Sequence, residues 1–254
     1  MAYEPKAPYA IRQFEVEIWI PLKVFGLDIS FTNVSSAMLT TVIVVSAYFW
    51  LAMRRPAIVP NRLQASVEII YNFVAKTVID TAGPQAKDHI PFVFSLFVFI
   101  LFGTLIGLSP MKETFTTHLI ITAALALFVF VYIIEAGLRQ NGTWFFRQFL
   151  PEGTPFWLAP LIVLVELVSY LAKPITLGVR LFANMFAGHM LIKLFGDFAA
   201  MMVDRLGPVG IVAAMAPVAM MVVFFAFEVM VVLIQSYIFI LLTSVYLRSA
   251  IQAH

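Results

Sequence analysis

The chain has 254 residues, of which 62% are hydrophobic and 12% are charged, and its formal net charge is +2. Soluble domains are usually about 45–50% apolar and about 25% charged, so this composition excludes an ordinary soluble protein and predicts an all-α polytopic protein in a lipid bilayer. The small net charge gives no support to a nucleic-acid partner, and the absence of cysteine excludes disulfides, thiolate zinc sites and iron–sulfur clusters. We expect one membrane domain over residues 1–254.

The first part of the chain contains an extramembrane segment, one span and one surface helix. Residues 1–33 mix charges with aromatic residues and prolines and lack the apolar core of a signal peptide. Residues 34–53 are uncharged and end at two arginines, which predicts a first membrane helix. Residues 61–82 are amphipathic and predict a helix that lies in the membrane interface, with one apolar face formed by Leu63, Val67, Tyr71, Val74 and Val78.

Two further apolar runs follow. Residues 90–111 and 114–138 predict a pair of membrane helices joined by a short turn that carries Lys112 and Glu113. Lysine and arginine are more frequent on the side that holds residues 54–89, which favours an N-terminus outside and a C-terminus inside.

The last two apolar runs are much longer than one bilayer crossing requires. Residues 156–195 and 206–250 are each about 40 residues, or about 60 Å of helix, against a hydrocarbon core of about 30 Å. Each is therefore either two spans or one tilted helix. Because only residues 196–208 form a clearly charged break, we expect two long, steeply tilted, antiparallel helices. The plan is about five membrane helices plus one interfacial helix.

Polar residues inside these two runs have related positions. Facing residues of an antiparallel pair have a nearly constant sum of residue numbers, which groups His189 with Glu228, Arg180 with Gln235, and Glu166 with Arg248. At 100° per residue, the first of the two helices has one polar stripe, which contains Glu166, Ser169, Lys173, Thr176, Arg180 and Asn184. His189 lies on the same helix and points roughly opposite Arg180. On the partner helix Glu228, Gln235 and Tyr246 share a face.

This pattern is typical of ion or proton movement. Arginine in the middle of a bilayer costs about 2.5–3.5 kcal/mol on insertion scales, so it needs a polar partner or a water-filled path. Arg180 cannot release its proton and suits a barrier. His189 and Glu228 can hold and exchange a proton.

The sequence KPITLGVRLFANMFAGH at residues 173–189, followed by Glu228 and Gln235, strongly resembles subunit a of F-type ATP synthases. In that family the subunit is the stator channel beside a rotating ring of c subunits, and it is not itself catalytic. The resemblance implies that Arg180 faces the ring carboxylate and that Asn184 and Gln235 are its polar neighbours. It assigns Glu166 and Lys173 to the exit on the cytoplasmic or matrix side. Thr104 departs from the family, since many members have asparagine there.

The resemblance further implies two offset half-channels, with His189 and Glu228 in the outer one. It implies the ring, the peripheral-stalk subunit b and other ATP synthase subunits as partners, with no cofactor and no metal. We expect a multi-pass protein of a bacterial inner membrane, with the mitochondrial inner membrane as the alternative.

Other interpretations of the same residues remain open. His189 and Glu228 could form a structural hydrogen bond, and Glu166 with Lys173 could be a simple pair seven residues apart. His89 and His118 lie near span ends, which favours solvated or capping roles. The alternative functions are a haem-bearing redox subunit, with His118 and His189 as ligands, and another ion transporter, although no internal repeat is visible. The sequence does not distinguish protons from sodium.

Overall fold

Helices dominate the residues that the computed structural model describes, which are 17–21, 23–24, 27–28, 30–108, 114–142, 145, 149 and 157–251. The helices are α1 Asn33–Met53, α2 Arg62–Ala82, α3 Ile90–Gly107, α4 Leu119–Asn141, α5 Ala159–Leu206 and α6 Pro208–Ile251. Four short strands precede them: β1 Ile18–Ile20, β2 Lys23–Val24, β3 Leu27–Asp28 and β4 Phe31–Thr32. β1 pairs with β4 and β2 with β3, both antiparallel.

Among the described residues, five helices are long and apolar enough to cross a membrane, namely α1, α3 with the 3-10 turn Pro84–His89 before it, α4, α5 and α6. The predicted all-α polytopic architecture is thereby confirmed. Several predicted features lie outside the described residues: most of segment 1–33, the turn with Lys112 and Glu113, and Phe156.

The helix α2 is the amphipathic one, and it is not among the five apolar helices. It begins after Asn61 and ends at Ala82. Gly83, with a φ of 88°, and Pro84 follow directly, and together they stop the helix. Its buried side chains include Val67, Val74 and Val78, three members of the predicted apolar face. Leu63 and Tyr71 of the predicted apolar face are exposed, and the polar Gln64 is buried and bonds to Ala57 and Glu68.

The beginning of α4 differs from its prediction. Residues Phe115–Thr117 form a 3-10 turn, and the α-helix begins only at Leu119. The turn forms because the Thr117 hydroxyl donates to the Thr114 carbonyl oxygen, a local hydrogen bond that competes with helix formation. Hydrophobicity alone does not indicate such a bond, so the apolar run gave no sign of the turn.

The helix α5 has 48 residues and continues without a break through Gly196 and Asp197, where the predicted charged break began. It is about 70 Å long at 1.5 Å per residue. The chain reverses only at Gly207, which has a φ of +57°. Glycine takes this left-handed conformation without a steric cost, and Pro208 then starts α6 at a position where its missing N–H does no harm.

The chain divides into two compact units. The first contains the described residues of Met1–Ile43, Leu101–His118 and Phe182–Ile234. Within it, the second half of α5 and the first half of α6 run antiparallel, because Phe195 stacks on Phe224 while His189, earlier on α5, lies beside Glu228, later on α6.

The second unit contains Val44–Ile100, the described residues of Leu119–Leu181, and those of Gln235–His254. Its core combines side chains of α3, α4, α5 and α6, and it includes Ile100, Ile133, Tyr170, Leu181 and Phe239.

Candidate functional site

A buried acidic group lies beside a histidine in the first unit. His189 on α5 and Glu228 on α6 approach each other with Nε2 and Oε1 3.6 Å apart. The Glu228 side chain is only 2% exposed, and neither of its carboxyl oxygens has a hydrogen-bond partner among the described residues. A buried carboxyl group without such partners requires a proton or water. The pair predicted from its position in the antiparallel helices is therefore brought together here.

Gly188 makes room for this carboxyl group. A Cβ atom at Gly188 would lie 2.7 Å from Glu228 Oε1 and 2.9 Å from its Cδ. Any larger side chain at position 188 would displace the carboxyl group from this position, so the glycine leaves space for it beside His189.

Thr114 completes the arrangement, and sequence reasoning missed it. Its Oγ1 is 2.8 Å from His189 Nε2, so the hydroxyl and the Glu228 carboxyl group face the same ring nitrogen. Thr114 is buried at 2% exposure and lies next to the 3-10 turn. The only sequence signal was the cluster Thr114, Thr116, Thr117 and His118 at the start of an apolar run.

Two further polar atoms near this turn are buried without a partner among the described residues. They are Thr116 Oγ1 and His118 Nε2. Burial lowers the pKa of His118, which favours its neutral form. The expected solvated role is therefore wrong for its Nε2, whereas the expected capping role is seen, because the His118 backbone N–H caps the 3-10 turn by donating to the Phe115 carbonyl oxygen. His89 belongs to the second unit and its Nδ1 lies 2.8 Å from the Tyr132 hydroxyl, so it too has a specific partner.

Arg180 lies on α5 in the second unit and is half-buried. It forms no ion pair or hydrogen bond with any residue that the structure describes, and its charge interacts electrostatically with Tyr246. Gln235, in the same unit, is buried at 2% exposure. Asn184 follows Arg180 by one helical turn, belongs to the first unit and is exposed.

The two charged residues predicted for the inner side lie on α5 in the second unit. Lys173 places its Nζ 4.7 Å from the ring centroid of Tyr170 and 5.3 Å from that of Tyr246. Glu166 is half-buried and forms no ion pair with a described residue, so neither its pairing with Lys173 nor that with Arg248 is seen as a contact. Arg248 instead approaches the Thr81 carbonyl oxygen at 3.5 Å.

The chain is similar over most of its length to one protein family. The model of the family described as ATP synthase A chain matches residues 34–248. The chain belongs to the ATP synthase A chain family. "ATP synthase subunit a" of Acidiphilium cryptum is 45% identical over 230 residues, which cover 91% of this chain and 92% of the relative.

Two other bacterial relatives of the A chain family give the same result. "ATP synthase subunit a 1" of Brucella anthropi is 43% identical over 95% of this chain and 96% of its own length. "ATP synthase subunit a" of Hyphomonas neptunium is 44% identical over 96% of both chains. Because its relatives are named as this one subunit of ATP synthase and five apolar helices lie among its described residues, the chain is a membrane subunit and not a catalytic one.

Proposed function

We propose that this subunit is the stator proton channel of an F-type ATP synthase. Two offset half-channels carry protons to and from the carboxyl group of the rotating c-subunit ring, and this flow drives rotation and ATP synthesis. The observation that carries the proposal is the buried Glu228 carboxyl group, which is hydrogen-bonded to no described residue and lies 3.6 Å from the same His189 nitrogen that Thr114 contacts, inside a pair of apolar helices. Family membership supplies the setting.

The outer half-channel passes His189 and Glu228, with Asn184 and Gln235 further along. An imidazole ring can accept a proton on one nitrogen and donate one from the other, and Glu228 lies within a short movement of His189. Together they pass a proton inward one step at a time, with water beside the partnerless oxygens of Glu228.

Arg180 prevents a direct path between the half-channels. Its guanidinium remains charged at every accessible pH, so it attracts a carboxylate and cannot relay a proton. Because no described residue of this chain pairs with it, its counter-charge comes from outside, and the ring carboxylate is the partner that the family provides. The inner half-channel leads past Glu166 and Lys173.

The same proposal covers partners and location. The subunit assembles with the c ring, the peripheral-stalk subunit b and other ATP synthase subunits. It is a multi-pass protein of a bacterial inner membrane, as the bacterial relatives and the five apolar helices support.

A swap of the outer pair tests the proposal. His189→Glu and Glu228→His should each reduce proton-driven ATP synthesis in membrane vesicles, because each single change leaves two like groups at the site. Each variant's rate of ATP synthesis is divided by the wild-type rate. The relative rate of the double variant should be about fivefold higher than the product of the two single-variant relative rates, which corresponds to a coupling of about 1 kcal/mol.

The exposed ion pair of Glu135 and Arg139 provides a matched control, since its swap should leave synthesis unchanged. If the double variant with His189→Glu and Glu228→His is as inactive as that product, the two residues do not act as a pair and the outer route is wrong.

A further inference from the structure

The ammonium group of Lys173 lies between two aromatic rings. Its Nζ is 4.7 Å from the ring centroid of Tyr170, one turn earlier on α5, and 5.3 Å from that of Tyr246 on α6. Both distances are within the range of about 6 Å at which a cation is attracted to a ring face. We call Tyr170 and Tyr246 the tyrosine cage.

The tyrosine cage has one rigid wall. Tyr170 is 6% exposed and belongs to the core of the second unit. Its ring contacts those of Phe130 at 5.1 Å and Phe149 at 5.3 Å between centroids. Tyr246 packs against the same core from α6. The position of the Lys173 ammonium is therefore set by packed rings and not by a carboxylate.

A carboxylate is nevertheless close in sequence and on the same face of the helix. Glu166 lies seven residues before Lys173, and a separation of seven returns to nearly the same angle on a helix. The side chain of a helical lysine leans towards the helix N-terminus, where it meets Tyr170 before Glu166. The two charged groups interact electrostatically, but they form no ion pair.

We propose that the tyrosine cage keeps the Lys173 ammonium away from Glu166 and leaves that carboxylate available to accept protons on the inner side. Tyr170 and Tyr246 are positioning residues in this scheme. A hydronium ion that leaves the ring loses its proton to a Glu166 oxygen and becomes water, and the carboxyl group then releases the proton to bulk water. The inference rests on the inner half-channel of the proposed function.

Substitutions of Tyr246 test the effect on flow. Tyr246→Leu should reduce ATP-driven proton pumping in inverted vesicles by about threefold to tenfold, in line with the strength of such contacts. Tyr246→Phe should retain at least half of the wild-type rate, because the ring face binds the cation. Arg180 interacts electrostatically with the Tyr246 hydroxyl group, and Tyr246→Phe removes that hydroxyl while it keeps the ring. A normal pumping rate in Tyr246→Phe would therefore show that the slow pumping of Tyr246→Leu does not arise through Arg180.

A second substitution identifies Lys173 as the cause. The double variant with Lys173→Met and Tyr246→Leu should pump as fast as Lys173→Met alone, because no ammonium remains to be misplaced. The cage is wrong if Tyr246→Phe is as slow as Tyr246→Leu, or if Tyr246→Leu slows the Lys173→Met background by the same factor.

A chemical readout separates the cage from the proposed function. A carbodiimide joins an amine to a carboxylate only where the two are in contact, and the Glu166–Lys173 amide is detected by mass spectrometry of the chain from the intact complex. Yields should be low in the wild type and in Tyr246→Phe, and at least threefold higher in Tyr246→Leu. Unchanged yields would overturn the cage, whatever the proton measurements show. A rise without any change in pumping would keep the cage and overturn the role of Glu166 in proton exit.

Discussion

One ring nitrogen of His189 faces two oxygen atoms. Thr114 Oγ1 lies 2.8 Å from Nε2, and Glu228 Oε1 lies 3.6 Å from it. The hydroxyl both donates and accepts hydrogen bonds, so it can serve either protonation state of the imidazole. Thr114 therefore orients the histidine ring towards the carboxyl group.

Replacing Thr114 tests that orientation. Thr114→Val keeps the shape and removes the hydroxyl, which should reduce ATP-driven proton pumping about fivefold, the equivalent of one hydrogen bond of about 1 kcal/mol. Thr114→Ser keeps the hydroxyl and should remain near the wild-type rate. Equal rates for Thr114→Val and the wild type would show that the hydroxyl has no part in proton entry.

The site residues differ in how far the sequence could predict them. His189 and Glu228 could be paired because two helices joined by a tight turn have a simple register. Thr114 could not be assigned, since it is 75 residues from His189 and reaches it from a separate segment. The sequence also could not predict that the Lys173 ammonium lies beside aromatic rings and forms no ion pair with Glu166. That position depends on Tyr246, which comes close to Lys173 only through the packing of α6 against α5.

At the scale of elements, helix type was more predictable than helix ends. Apolar runs indicated α1, α3, α4, α5 and α6, and an amphipathic pattern indicated α2, but the predicted break at Gly196 and Asp197 was wrong. One glycine costs a helix only about 1 kcal/mol relative to alanine, which packing along a 48-residue helix easily offsets. The reversal needs Gly207 with its positive φ.

Gly210 tests the packing of this turn. A Cβ atom there would overlap the Met202 carbonyl oxygen, which belongs to backbone and cannot move aside. Gly210→Ala should lower the free energy of unfolding by about 1–3 kcal/mol, an amount typical of overpacking. The loss should be seen as a lower midpoint of thermal unfolding of the purified complex and a lower yield of assembled subunit.

Gly196→Ala is the matched control. The nearest atom to its new Cβ would be Met221 Sδ at 3.8 Å, an ordinary contact. This variant should be as stable as the wild type or slightly more stable. Equal behaviour of the two alanine variants would mean that the close approach at Gly210 is not a constraint.

At the scale of the whole molecule, α5 and α6 are the only described helices in which both compact units hold at least fifteen residues. His189 and Glu228 fall in the first unit, whereas Arg180, Lys173 and Glu166 fall in the second. The composition predicted a membrane protein and the motif predicted the family, which the comparisons confirm. The residue that pairs with Arg180 could not be predicted from this one sequence, because in the proposed mechanism that residue belongs to another subunit.

Passive proton permeability of inverted vesicles that contain an Arg180→Ala complex tests the central claim most directly. Arg205→Ala is the matched control, since Arg205 is an exposed arginine in the last turn of the same helix. We predict a proton leak and a loss of proton-driven ATP synthesis in Arg180→Ala, and neither in Arg205→Ala. Vesicles with Arg180→Ala that stay tight to protons and still synthesise ATP would contradict the role of Arg180 as the seal between two half-channels.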